Sequence, residues 1–581
     1  MIQKMHQLTT IWGENLDPEA VLQEYPRPQM VRDSYYNLNG YWDYAFVMEE
    51  TVDVRFPEQW DGQILVPFSP ESALSGVNRQ LQPGELLFYQ RTFLHPGKPG
   101  ERVLLHFGAV DQCCRVYINR KEVACHTGGY LAFYADITKA LTEGENELIV
   151  RVQDDSDTSY HARGKQKLNA GGMFYTAQSG IWQTVWMECV PKNYVTDLKW
   201  RAYFDRKEVE ILVATVRDTE AELTGVPGRI VGREDTDEIR FQTNHPIRIS
   251  LEEMHPWTPE TPYLYPMQIR LTGEGERDQV ESYFAMRVLT VEKDASGHMR
   301  LCLNHTPYFQ KGVLDQGYWP DGLYTAPADA ALIFDIREMK RMGFNMIRKH
   351  AKIEPARWYY HCDRLGMLVW QDMVNGGESY HHWFVTYLAT VTSRLGIHVN
   401  DFNRVLFART EARGRKEFLC EMKETVRQLG IFPSVVLWSI FNEGWGQFDA
   451  CCMEKKLRSM DPTRWIDAAS GWFDQGGGDV CSIHNYFFSL KLPAHEERRA
   501  VVLSEFGGYS MRLEGHACCK KLYGYRTFTE EEQLRKDYRE LEGRIEELKE
   551  EGLCASVYTQ LSDIEEEVNG IYTYDRKVKK I

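Results

Sequence analysis

Several features are missing from this chain, and each absence removes a class of protein. There is no run of about eighteen apolar residues, the length a membrane-crossing helix needs, so none is expected. The opening residues MIQKMHQLTTIWGENLDPEA hold no apolar core of a secretory signal. No Cys-x-x-Cys pair occurs among the 13 cysteines, which removes the usual zinc-ligand spacing. The count is odd, and Cys113–Cys114, Cys451–Cys452 and Cys518–Cys519 are adjacent pairs. Free thiols in a reducing cytoplasm fit that usage, so a cytoplasmic location is expected. Excess positive charge is missing too. Lys and Arg number 68 against 84 Asp and Glu, a net charge of −16, which argues against nucleic-acid and anionic-membrane partners.

What is present is length and alternation. The 581 residues exceed one core, since domains hold roughly 100–200 residues. Residues 35–190 read as short strands rich in Val, Ile, Tyr and Phe, such as "RVLLHFGAV", "NELIVRVQD" and "IWQTVWMECV". Gly, Pro and Asn punctuate them, the pattern of a jelly-roll β-sandwich. Residues 191–290 continue with "VEILVATV", "PIRISL" and "YPMQIRLTG", which fits an immunoglobulin-like sandwich. From 291 to 581 the rhythm changes. Eight strand candidates alternate with helical or loop segments: "YFQKGVL", "FNMIRKH", "MLVWQDM", "SVVLWSI", "RWIDAAS", "DVCSIHNYF", "AVVLSEF" and "CASVYTQL". That is the requirement of a (β/α)8 barrel. A late helix is predicted from Thr529, with Glu532 completing a capping box. Leu534, Tyr538, Leu541, Ile545 and Leu548 form its apolar stripe, and Gly552 ends it.

A barrel carries its site at the C-terminal ends of its strands. The fourth strand delivers Asn442 and Glu443 to that rim, and the seventh delivers Glu505. Two carboxylates converging there suit glycosidic cleavage, in which one gives a proton and the other attacks or stabilises the anomeric carbon. Rim carboxylates in ordinary salt bridges are the alternative. Trp438, Phe441 and Trp445 are candidates for apolar walls around Glu443.

"WSIFNEG" and "VLSEFGG" resemble the acid/base and nucleophile signatures of glycoside hydrolase family 2, the family of β-galactosidases, β-glucuronidases and β-mannosidases. "YQRTF", "GKQ" at 164–166 and "FYTAQSGIWQTVWME" resemble its N-terminal sugar-binding sandwich, and "NMIR" and "CDRLGMLVWQD" its barrel. The resemblance implies a retaining mechanism with Glu443 as acid/base, Glu505 as nucleophile and Asn442 on the sugar 2-hydroxyl. It offers Tyr486 as the aromatic hydroxyl touching the nucleophile. His484, Asn485 and Trp472 join it as rim candidates, with Arg348, His350, Asp315 and Asp372 from the first three strands.

The sugar is less constrained. Asp315 and Gln316 stand where galactose- and glucuronate-acting members carry Arg-His, and "YTQLSD" leans toward the mannosidase branch. The Asn-x-Lys pair that grips a sugar carboxylate in glucuronidases has no counterpart after Glu505, where Lys520 and Lys521 lie in a loop. The expectation is a retaining exo-β-glycosidase, β-galactosidase-like first, with uronidase and mannosidase specificities as alternatives. A non-catalytic carbohydrate-binding protein is the alternative class. Its partner is a carbohydrate, and a homo-oligomer is expected from the resemblance. Glu378, His381 and His382 are candidate metal ligands, but hard cations prefer oxygen. That loop is therefore read as substrate-shaping, and neither metal nor cofactor is expected.

Overall fold

The computed structural model describes residues 8–49, 56–232, 239–273, 277–381, 383–388, 399–493 and 496–581. Two β-sandwiches precede a parallel barrel, as the strand rhythm predicts. The first sandwich packs a six-stranded sheet on a four-stranded one. Its strands alternate as a half-buried sheet must. In Glu145–Gln153, Leu148, Val150 and Val152 enter the inter-sheet core with Leu87, Tyr89, Val103 and Leu105. Ile149 faces the other way, against Phe88 and Tyr117. The second sandwich pairs two four-stranded sheets. Its strand Glu208–Thr215 sends Val209, Ile211 and Val213 into one core.

The barrel strands are Gln310–Asp315, Met346–Lys349, Leu368–Asp372, Val435–Ser439, Trp465–Asp467, Val480–Asn485, Ala500–Gly507 and Leu553–Thr559. All eight predicted runs are strands. The hydrogen-bonded ladder is parallel and nearly closed, its break falling between the fifth and sixth strands. Inward residues Leu314, Trp370, Leu437 and Val557 fill the lower interior. A small sheet, Leu289–Lys293 with Met299–Leu303 and Thr306–Pro307, closes the floor. Trp465 Nε1 donates to the Thr290 carbonyl there at 3.1 Å.

The late helix runs Glu531–Glu550, with Glu530 rather than Thr529 at its N-cap and no side-chain cap bond. The N-cap is one residue later than predicted, and the capping box does not form. The stripe survives: Leu534, Ile545 and Leu548 are buried, and Tyr538 and Leu541 pack beside them. Among the described residues, no helix is long and apolar enough to cross a membrane.

A buried ionic cluster joins the two sandwiches. Arg32 donates to Glu188 of the first at 2.9 Å and, in a two-pronged contact, to Asp278 of the second at 2.9 Å. Arg27 and Tyr25 also bond Glu188, whose side chain is fully enclosed. Burial pushes the Glu188 carboxyl up, but Arg27, His106 and Arg32 outweigh it and hold it well below the usual carboxylate range. Removing one member of such a cluster strands the other charges. Glu188→Gln should therefore lose about 3–5 kcal/mol at neutral pH, read by urea unfolding. A depressed carboxylate stabilises fully above its unfolded value, near about 4.3, and that stability fades as pH falls through the folded value. The wild-type and variant stabilities should converge in acid. A gap that stays constant to the lowest pH at which both chains fold would refute this origin.

Candidate active site

Strand alternation decides which rim residues enter the mouth. On the second strand Arg348 points inward and Lys349 outward. Arg348 is fully buried and touches three other strands. Its Nε and Nη2 donate to Asp372 of the third at 3.0 and 3.1 Å. Nη2 also reaches Asn442 Oδ1, just beyond the fourth, at 2.9 Å. Nη1 reaches the Ser504 carbonyl and Glu505 Oε1 of the seventh at 3.1 and 3.2 Å. His350 Nδ1 lies 2.6 Å from Asp372 Oδ2.

Glu443 follows the fourth strand with φ of +50°, a left-handed conformation that costs a non-glycine residue roughly 1–3 kcal/mol. Bonds on either side hold it there. Its amide donates to the Ser470 carbonyl at 2.9 Å, and the Trp445 amide donates to the Asn442 carbonyl at 2.9 Å. The strain turns the carboxylate toward His484 Nδ1, 2.8 Å from Oε1. The far side of that imidazole faces the other carboxylate. Nε2 lies 3.5 Å from Glu505 Oε1 and 3.1 Å from Ser470 Oγ. One atom of each of Glu443, His484 and Glu505 falls within 4.8 Å of the others. Tyr486 donates to Glu505 Oε2 and lies 3.2 Å from Thr559 Oγ1. Burial, together with the Glu505 charge, holds the Tyr486 phenol protonated far above its usual range. Burial also pushes the Glu505 carboxyl up, but the charges of His484, Arg348, His350 and Lys165 prevail and keep it below the ordinary value.

Three further segments build the walls. Residues 162–178 of the first sandwich reach over the rim, where the amides of Arg163 and Gly164 donate to the Asn375 carbonyl at 2.9 and 3.0 Å. Beyond the eighth strand, Glu565 accepts from the Thr176 amide at 2.8 Å, Glu566 from the Gly172 amide at 2.9 Å, and Glu567 from the Tyr175 hydroxyl. After the seventh strand, the loop brings Tyr525 flat onto Tyr486, with ring centres 3.9 Å apart.

Of the expected residues, Glu443, Glu505, Asn442, Arg348, His350, Asp372, His484 and Tyr486 form one bonded cluster. Trp472 flanks it, its ring centre 5.6 Å from that of His484. Two do not belong. Asp315 ends the first strand on its outer side and pairs with Lys349. The inward neighbour is Gln316, which donates to Tyr175 and Gln560 at 2.7 and 2.9 Å. Asn485 shapes a turn, accepting from the Phe488 amide at 3.0 Å. Trp438 and Phe441 pack outward, Trp438 bonding Asp461 and Phe441 stacking on Phe418, so only Trp445 stands at the mouth. Sequence reasoning missed Lys165 and Tyr525. "GKQ" marked the first segment, while Tyr525 gave no local signal.

In the other candidate loop, Glu378 Oε1 accepts from Thr410 Oγ1 and the Glu411 amide at 2.6 and 2.7 Å, and Oε2 from the Thr410 amide at 3.2 Å, which engages both oxygens. His381 is exposed, and His382 lies outside the described residues. Glu443, His484 and Glu505 are the metal-sized grouping among the described residues, and its two carboxylates are the pair that the sequence singles out. Arg348 gives the sharper test. Arg348→Met should cost about 3–5 kcal/mol, because Asp372 and Glu505 would keep buried charges without a partner. Arg348→Lys should recover only part, since an ammonium cannot reproduce the fork. Chemical unfolding of the three chains reads this, and a Met variant of wild-type stability would refute it.

Three family models match in chain order. Residues 80–191 match "Glycosyl hydrolases family 2, sugar binding domain", 194–287 match "Glycosyl hydrolases family 2", and 323–504 match the TIM barrel domain of the same family. A putative β-glucuronidase of Formosa agariphila is 23% identical over 58% of this chain and 37% of its own length. A β-galactosidase of Thermoanaerobacter pseudethanolicus is 25% identical over 47% and 37%. The chain thus spans well under half the length of these two relatives. A solved β-D-glucuronidase of Dictyoglomus thermophilum superposes with a TM-score of 0.71 at 18% identity, covering 96% of each chain. A β-galacturonidase of Eisenbergiella tayi, bound to galacturonate, gives 0.68 at 16%, covering 96% and 97%. With sandwich, second sandwich and barrel matched in order by models of one family, the chain belongs to glycosyl hydrolase family 2.

Proposed function

We infer that this protein is a retaining exo-β-glycosidase that removes a terminal β-linked sugar of the galactoside and uronide group. The observation that carries the reading is the approach of the two carboxylates, with one oxygen of Glu443 within 4.8 Å of one of Glu505. Retaining enzymes hold their carboxyl groups about 5–5.5 Å apart, and inverting ones at about 6.5–9.5 Å to admit a water. The close approach favours direct attack.

The roles follow from the surroundings. Glu505 is held ionised beside Arg348 and receives the Tyr486 hydroxyl, which suits a nucleophile. Glu443 is the more open of the two, its side chain 13% exposed against 6%, which suits a group that must meet leaving group and water. In the first step the Glu443 carboxyl gives its proton to the glycosidic oxygen. A Glu505 oxygen attacks the anomeric carbon as that carbon–oxygen bond breaks, leaving a glycosyl ester. In the second step the Glu443 carboxylate takes a proton from water, whose oxygen displaces Glu505. His484, between both carboxylates, orients them. Asn442 Nδ2 and His350 Nε2 are buried without a protein partner among the described residues. Such orphans call for an explanation, and sugar hydroxyls supply one.

Acid/base groups contribute typically about 10²–10⁴-fold. Glu443→Gln should slow substrates with poor leaving groups by that order and largely spare activated aryl glycosides, which need little protonation. Glu505→Gln should abolish both. A 2-deoxy-2-fluoro glycoside of the right sugar should label Glu505. A label elsewhere, or an active Glu505→Gln, would overturn the assignment.

A further inference from the structure

The mouth holds a cation whose charge helps keep Glu505 ionised but which touches no group of the reaction described above. Lys165 lies in the first sandwich yet belongs spatially to the barrel rim. Its segment is fitted there closely. Gly164 has a φ of +60°, and a β-carbon on it would sit 2.4 Å from the Ala351 carbonyl oxygen. Ala162 bridges Gly376 of the loop after the third strand. Lys165 is 7% exposed, its Nζ over the rings of Trp445 at 5.4 Å and Tyr175 at 5.6 Å. A buried ammonium ordinarily has an anionic partner. Among the described residues, Lys165 Nζ has no carboxylate within 4 Å and no hydrogen-bond acceptor.

The other cations in and around the mouth are committed. Arg348 is shared among Asp372, Asn442 and Glu505. Lys349 binds Asp315 and Glu354. Lys352 binds Glu354 and two carbonyls. Arg163 donates to the carbonyls of Gly377 and Glu378. Lys521 is solvent-exposed and meets Glu566.

The geometry points to Lys165 as the specificity-determining residue for an acidic substituent, carboxylate or sulfate, on the sugar bound beside Glu505. This rests on the glycosidase reading and deepens it. The charge would come from the first sandwich, across a domain boundary, and not from the barrel loop after the nucleophile, where an Asn-x-Lys pair is lacking. The rings of Trp445 and Tyr175 flank the ammonium, and a contact between it and an anionic group would be charge-assisted.

The test uses the full chain and five nitrophenyl glycosides: β-D-glucuronide, β-D-galacturonide, β-D-glucoside, β-D-galactoside and 6-sulfo-β-D-galactoside. Wild type should prefer an acidic substrate over its neutral counterpart, and the arm that does so tells carboxylate from sulfate. A hydrogen bond to a charged group is worth roughly 10–100-fold. Lys165→Met should lower the acidic-to-neutral ratio of kcat/KM by that factor, chiefly through KM, and Lys165→Arg should restore part of it. A wild type that prefers neutral sugars overturns this proposal while leaving the glycosidase reading intact. So does a Lys165→Met that slows both kinds equally. Absence of turnover in every arm overturns the glycosidase reading itself. Should Lys165→Met fail to fold, wild-type thermal shift with galacturonate against galactose decides. Stabilisation by the acid alone supports the proposal, and equal or absent shifts refute it.

Discussion

A single buried guanidinium organises the barrel mouth. Arg348 takes two oxygens of Asp372, the amide oxygen of Asn442, the Ser504 carbonyl and one oxygen of Glu505. These partners come from the ends of three different strands. Each has a buried polar group that would be costly if left alone. The planar fork makes several directional bonds at once, so it fixes angles as well as distances. Glu505, the proposed nucleophile, is held ionised and Asn442 is oriented by the same group. Catalysis gains from donors that need no rearrangement during reaction, and Arg348 supplies that rigidity from inside the barrel.

Around this fixed centre the parts differ in how far sequence reveals them. The eight barrel strands were legible because strands covered on both faces read as unbroken apolar runs. Val435–Ser439 and Ala500–Gly507 show this, being wholly buried. Glu443 and Glu505 were legible because each lies near the end of such a run, with glycine one or two residues on. Tyr486, His484 and Asn442 followed from their positions near strand ends. Asp315 was misplaced by one residue, since alternation sends neighbouring side chains to opposite faces. Asn485 lost its place to a turn, where its side chain serves the backbone, as Asn commonly does. Trp438 and Phe441 belong to the helix layer, and an apolar residue on a barrel strand fits either layer by composition.

The walls of the mouth were not legible, for a different reason. They arise from contacts between distant segments. Lys165 and Tyr525 carry no local periodicity that would tie them to the barrel rim. The close meeting of Gly164 with Ala351 depends on how two separately formed units dock. The triplet Glu565, Glu566 and Glu567 looks in sequence like a solvated acidic run. In the fold each grips a group of the first sandwich.

That grip bears on how the chain is made. Glu567 meets Tyr175 across 392 residues of sequence. During synthesis the first sandwich forms early and waits, its reaching segment exposed, while the second sandwich and the whole barrel emerge behind it. The mouth can close only when the residues past the eighth barrel strand have left the ribosome. Both carboxylates are then already in the chain, but their pocket has no roof. The roof of the pocket is thus completed late in the making of this region, when the segment past the eighth strand docks onto the sandwich made before it.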